Sequence, residues 1–131
     1  MESATPPPGI LDDESRAELL CYLVVAQLIA INHAGTWLKT SHLVESARIW
    51  LANNGADCDW MERATLAHTS AELAPVLLNS LDLRDAVQLA QLFGHSWRLD
   101  YRSAVVQCIH NECVRHLRTR RPDQSRRSRR R

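Results

Sequence analysis

The sequence predicts an all-α protein: a small bundle of five to six short helices between a disordered N-terminus and an Arg-rich C-terminal tail. Three observations carry that prediction. Leu and Ala dominate an apolar content of 45%, and Gly is scarce at four residues, which favours helix over sheet. Apolar residues recur at helical spacing, with no strand pattern. Helix-starting Asp, Ser and Thr alternate with Gly and Asn stops at short intervals. At 131 residues the chain holds one domain plus tails. The expected divisions are a disordered segment at 1–12, a helical bundle at 13–117 and the tail at 118–131.

Each element has its own signal. The PPPG stretch keeps the N-terminus out of the fold. Asp12 or Asp13 can cap the first helix, with Glu14 and Glu18 near its positive end. That helix runs to about Asn32. Its stretch LLCYLVVAQLIAI, residues 19–31, is apolar at twelve of thirteen positions. Thirteen helical residues span only about 20 Å, short of a bilayer core. The expectation is a helix at the centre of a bundle or at an oligomer interface, with no membrane partner.

His33-Ala34-Gly35 ends the first helix. Thr40 or Ser41 starts the second, whose inner face is Leu43, Val44, Ala47, Trp50 and Leu51. Asn53-Asn54-Gly55 stops it. Asp59 with Glu62 resembles a capping box for a short third helix, and Thr69 with Glu72 offers another. Pro75 either begins the fourth helix or kinks it. Asp82 caps a fifth helix, with Leu83, Ala86, Val87, Ala90 and Phe93 inward, which Gly94 stops. Ser96 caps the longest helix, from Trp97 to about Arg120, with an apolar stripe at Val105, Cys108, Ile109, Cys113 and Leu117. Pro122 lies beyond it. Short connections favour antiparallel neighbours.

Charge is divided along the chain. Residues 1–114 carry seven cations against fourteen carboxylates, a net of −7. Residues 115–131 carry nine Arg against Asp123, a net of +8. The candidate nucleic-acid-binding residues are those nine: Arg115, Arg118, Arg120, Arg121, Arg126, Arg127, Arg129, Arg130 and Arg131. Planar Arg forks suit phosphate better than Lys does. Each phosphate neutralised releases a counterion, so affinity falls steeply with salt. Arg-rich segments also fold on RNA, where guanidinium planes stack on unpaired bases. The same segment reads as a nuclear or nucleolar address. A plainer reading is a solvated tail with no dedicated partner. Phosphorylation of Ser125 and Ser128 would remove about three to four charges, although Ser is also a common tail residue.

Other motifs are weaker. Residues 82–104 have a helix-turn-helix outline, but the segment is electrically neutral and a reading head needs positive potential. An ordinary helical hairpin explains it better. Cys108, His110, Cys113 and His116 are zinc-ligand types, yet at 100° per residue Cys108 points away from the other three. Cys108 and Cys113 read as small core residues, with both His at the surface. Trp37, Trp50, Trp60 and Trp97 read mostly as core anchors, one of them a candidate interface residue. Asp57, Asp59 and Glu62 read as a helix start. The four Cys are expected as reduced thiols: MESATPPPGILDDES has no basic n-region and acids precede the apolar run, so a cleaved secretory signal is not expected.

No nucleophile–base pairing, Gly-rich phosphate loop, HExxH or GxSxG is present. The expected function is therefore non-enzymatic and needs no cofactor: sequence-nonspecific binding of RNA or DNA phosphates by the tail, in the nucleus or nucleolus. The helical body then oligomerises and holds a protein partner. One alternative is an interaction adaptor whose tail is only an address. Another is a small assembly or packaging protein, and the near absence of Lys suits a viral regulatory protein.

Overall fold

The computed structural model describes residues 11–79 and 103–119. Among them 83% are in α-helix and none is in a strand, so the described fold is all-α. The four described helices are α1 (Asp13–Ala34), α2 (Thr40–Asn53), α3 (Trp60–Leu78) and α4 (Ala104–Thr119). The expected helix at 83–93 and its hairpin turn lie outside the described residues.

α1 is the central element, packing against α2, α3 and α4. Leu19, Leu20, Cys21, Leu23, Val24 and Val25 are sealed from solvent, so its apolar run is spent on three neighbours rather than one face. Each fully buried Leu or Val contributes roughly 1.5–3 kcal/mol of transfer free energy. At 22 residues, with mean hydropathy 1.5 in its most apolar window, α1 is long and apolar enough to cross a membrane; 56% of that window is buried within the bundle. Leu11, placed by sequence in the N-terminal segment, also joins the core.

The ends of α1 follow their signals. The Asp12 carboxylate accepts the Ser15 N–H at 2.7 Å, which holds its pKa below the usual carboxylate range. Gly35 closes the helix at φ 68°, where a Cβ would be strained, and donates its N–H to the Ile31 carbonyl at 2.9 Å. The 35–39 connection is then fastened by Gln27, the one polar residue in the apolar run. Leu38 donates its N–H to Gln27 Oε1 at 2.7 Å, and Gln27 Nε2 donates to the Leu38 carbonyl at 3.2 Å. Gln27 is only 1% exposed, so this amide fills its hydrogen-bonding needs from the backbone.

α2 buries Leu43, Ala47, Trp50 and Leu51, with Val44 half-buried against the core. Asn54 ends it by donating its side-chain amide to the Trp50 carbonyl at 2.8 Å, and Gly55 takes φ 67°.

α3 corrects the expectation of two helices. It is continuous from Trp60 through Pro75 to Leu78. Thr69 does not cap a new helix. Its hydroxyl donates back to the Thr65 carbonyl at 2.9 Å, as helix-interior Thr residues do. Pro75 removes one backbone donor, but only three residues follow it, and Leu73, Ala74 and Leu77 hold the last turns in the core.

α4 begins at Ala104, after a non-helical Ser103, so the expected helix is not continuous through Ser103; its expected start at Trp97 lies outside the described residues. Ser103 precedes the helix, and its carbonyl accepts the Gln107 N–H at 3.0 Å. Its buried stripe is Val105, Val106, Ile109 and Cys113, with Leu117 half-buried. Cys108 is exposed, which corrects its placement in the core. The helical phase explains this: Ile109 and Cys113 lie at the middle of the stripe, while Cys108 falls about 100° and 140° from them.

Candidate nucleic-acid interface

The sequence puts the candidate interface at the C-terminal end of α4 and in the residues beyond it. Two of the nine candidate Arg lie in the described helix. Arg115 is exposed and ion-paired with Glu112 one turn earlier, which holds its pKa above the ordinary Arg value. Arg118 is exposed in the last turn, beside His116, where positive charge complements the negative end of the helix. Arg120, Arg121, Arg126, Arg127, Arg129, Arg130 and Arg131 lie outside the described residues.

The root of the tail sits beside acids. Arg118 shares a groove of about 310 Å3 with Asp13, Glu14 and Arg16 of α1 and with His110 and Leu117 of α4. The first turn of α1 is therefore at the last turn of α4, and the two helices run antiparallel. Arg16 of the same turn reaches α3 and donates to Glu62 Oε2 at 2.7 Å. Both partners are about three-quarters shielded, so this pair is screened less than one at the surface. It also means that Glu62 does not complete a reciprocal capping box. Asp59 alone caps α3, accepting the Glu62 N–H at 2.8 Å, and Asp57 accepts the Cys58 N–H at 2.8 Å. The acidic cluster beside Trp60 is thus a helix start joined to a tertiary ion pair.

Net charge confirms the character of the surface from which the tail departs. The described residues hold six cationic side chains against ten carboxylates. Arg48 is paired with Glu45, and Arg63 donates to the Cys58 carbonyl at 2.8 Å. No broad basic face is left for phosphate on α2 or α3.

The zinc-type residues of α4 do not converge. Cys113 points into the core, Cys108 faces solvent, and His110 and His116 are half-buried. No group of three or more metal-ligating side chains comes together among the described residues. The helix-turn-helix outline at 82–104 lies almost wholly outside them.

The tryptophans also need correction. Of the three described, only Trp50 is a core anchor. Trp37 is at the margin of exposure, and Trp60 is 63% exposed at the start of α3. Trp60 lines a second groove, between α2 and α3, with Val44, Arg48 and Arg63. Met61 and Val76 are exposed on α3 as well.

No protein-family model, no curated protein and no solved structure matches this chain.

Proposed function

We propose that this is a non-enzymatic, sequence-nonspecific nucleic-acid-binding protein of the nucleus or nucleolus, with the segment beyond Thr119 as its phosphate clamp. The observation that carries the proposal is the charge division: seven Arg and one acid after Thr119, against a net acidic remainder. Placement refines the list of contacts. Arg115 already has a carboxylate partner, and Arg118 stands beside Asp13 and Glu14. Phosphate binding at either must compete with those carboxylates, so the seven Arg from Arg120 onward carry most of the affinity. The helical body serves as a scaffold that holds protein contacts.

The test compares the full chain with a version stopped after Thr119, which keeps all of α4. A fluorescent single-stranded RNA and a DNA of matching sequence are titrated near 150 mM salt. The proposal expects the full chain to bind both and the shortened chain to bind neither. Equal binding by the two chains would move the reading surface into the body.

A second reading is favoured by one observation. Trp60, Met61 and Val76 leave apolar area exposed on α3, and exposed aromatic anchors mark protein interfaces. In this reading the protein is an adaptor and the tail only an address. The full chain then binds nucleic acid poorly at physiological salt, while its nuclear accumulation still depends on the tail.

A further inference from the structure

The turn after α2 sets a side-chain amide beside a glycine. Asn54 closes the helix at φ −106° and ψ 9°, and Gly55 follows at φ 67°. Both residues are exposed. The space around Gly55 is open, since a Cβ built there would meet nothing within 4 Å. Its N–H is weakly held, reaching the Ala52 carbonyl only at 3.4 Å, beyond the usual N–H to oxygen range. The chain has four other Asn. Asn32, Asn53 and Asn111 lie inside helices, where the next backbone N–H is bonded into the ladder. Asn79 is followed by Ser80. Asn54 is thus the only Asn whose successor has no side chain to hinder its backbone nitrogen.

We propose that Asn54 is a modification site, at which the side chain cyclises with the Gly55 backbone to a succinimide that water opens to aspartate and isoaspartate. A solvent base takes the Gly55 N–H proton, and the nitrogen attacks Asn54 Cγ. The N–Cγ bond forms, the Cγ–Nδ2 bond breaks, and ammonia leaves with the proton returned to it. Water then adds to one of the two ring carbonyls. Cleavage of the N–Cγ bond gives aspartate on an unchanged main chain. Cleavage of the original peptide bond gives isoaspartate, with the main chain now routed through Cγ. Nothing is oxidised or reduced.

The native turn sets the rate. Ring closure needs the Gly55 nitrogen eclipsed with Cβ about the Cα–C bond, whereas at ψ 9° it is nearly eclipsed with the Asn54 nitrogen. The amide itself is held back toward the helix by its 2.8 Å bond to the Trp50 carbonyl. Cyclisation therefore proceeds through local opening of the last turn of α2. Either product removes the amide donor from the Trp50 carbonyl and places a carboxylate at the negative end of the helix. Isoaspartate also lengthens the 54–59 connection, which carries the Cys58 carbonyl that accepts Arg63 and the Asp59 cap of α3. None of this depends on what the Arg-rich segment binds.

The test incubates the full chain near pH 8.5, folded and in guanidinium chloride, and follows each Asn by peptide mass spectrometry, with isoaspartate counted by an isoaspartyl methyltransferase. The expected result is that the Asn54 peptide gains about one dalton and splits into aspartyl and isoaspartyl forms. It should react before the other four Asn in both samples, and roughly ten- to a hundredfold more slowly in the folded chain. Gly55→Ala, compared in guanidinium chloride where its strained φ has no bearing, should slow the reaction several-fold. Another Asn reacting first in the folded chain, equal Asn54 rates in the two samples, or an unchanged rate in Gly55→Ala would overturn the proposal. So would a folded chain whose Asn54 stays intact through a thousand denatured half-lives.

Discussion

Gln27→Leu removes the clamp between α1 and the 35–39 connection while keeping the side chain's size. In the native chain the amide makes two neutral hydrogen bonds to Leu38, at 2.7 and 3.2 Å, from a site 1% exposed. Leu cannot make either bond, so the Leu38 N–H and C=O lose their partners. An unsatisfied buried group costs about 1–3 kcal/mol. Leu38 is half-buried, so water reaches its backbone in part, and about 1 kcal/mol per group is the appropriate end of that range. Leu offsets some of this by burying more apolar surface. The net cost is about 1.5–2 kcal/mol, equivalent to a fall in Tm of roughly 10 °C for a body of about 100 residues. The assay is a thermal melt of the full chain followed by far-UV circular dichroism at pH 7. A Tm within about 2 °C of the wild type, or above it, would refute the reasoning, because the amide would then not be holding the connection.

Asp12→Ala should cost about 1 kcal/mol at pH 7 by removing the α1 cap. Because folding lowers the Asp12 pKa from 3.8, its contribution is complete above about pH 5 and is lost as pH falls through the lowered value. Urea melts of the two chains should therefore differ at pH 7 and converge near pH 2. Pro75→Ala restores a donor for the Ala71 carbonyl on an exposed face of α3, and should stabilise the chain by about 1–3 kcal/mol in the same melts. Thiol labelling of the folded protein at pH 7.5 should modify Cys108 rapidly. Cys58, its thiol pushed up to about 11 mainly by burial, should label only on unfolding. Rapid labelling of two or more thiols in the folded protein would contradict the burial pattern.

Much of the helical architecture could be read from local chemistry. Asp12, Gly35 and Asn54-Gly55 mark helix ends because their physics acts within one turn. The inner face of α2 was legible because its apolar residues keep a strict helical period. Pro75 misled for the opposite reason: a local rule against Pro is overridden when Leu73, Ala74 and Leu77 are buried around it. Trp60 misled as well, since an aromatic residue at a helix start faces inward only if a neighbour covers it. Gln27 left a sequence signal, as the one polar residue in thirteen, but its partner at Leu38 required tertiary structure. The Arg16–Glu62 pair joins residues 46 positions apart, and no local pattern announces it. For the candidate interface, sequence located the charge and the structure located its competitors, Glu112 beside Arg115 and the α1 acids beside Arg118.

The most direct test is the salt slope of nucleic-acid binding by the full chain between 50 and 200 mM salt. Seven Arg beyond Thr119 predict a slope of log affinity on log salt near −5 for single-stranded RNA and near −6 for duplex DNA, if each engages about one phosphate. That corresponds to a fall in affinity of roughly a thousandfold or more over the range. A shallow slope, near −1 or flatter, would mean that the Arg-rich segment does not clamp phosphate and that the function lies in the helical body's protein contacts.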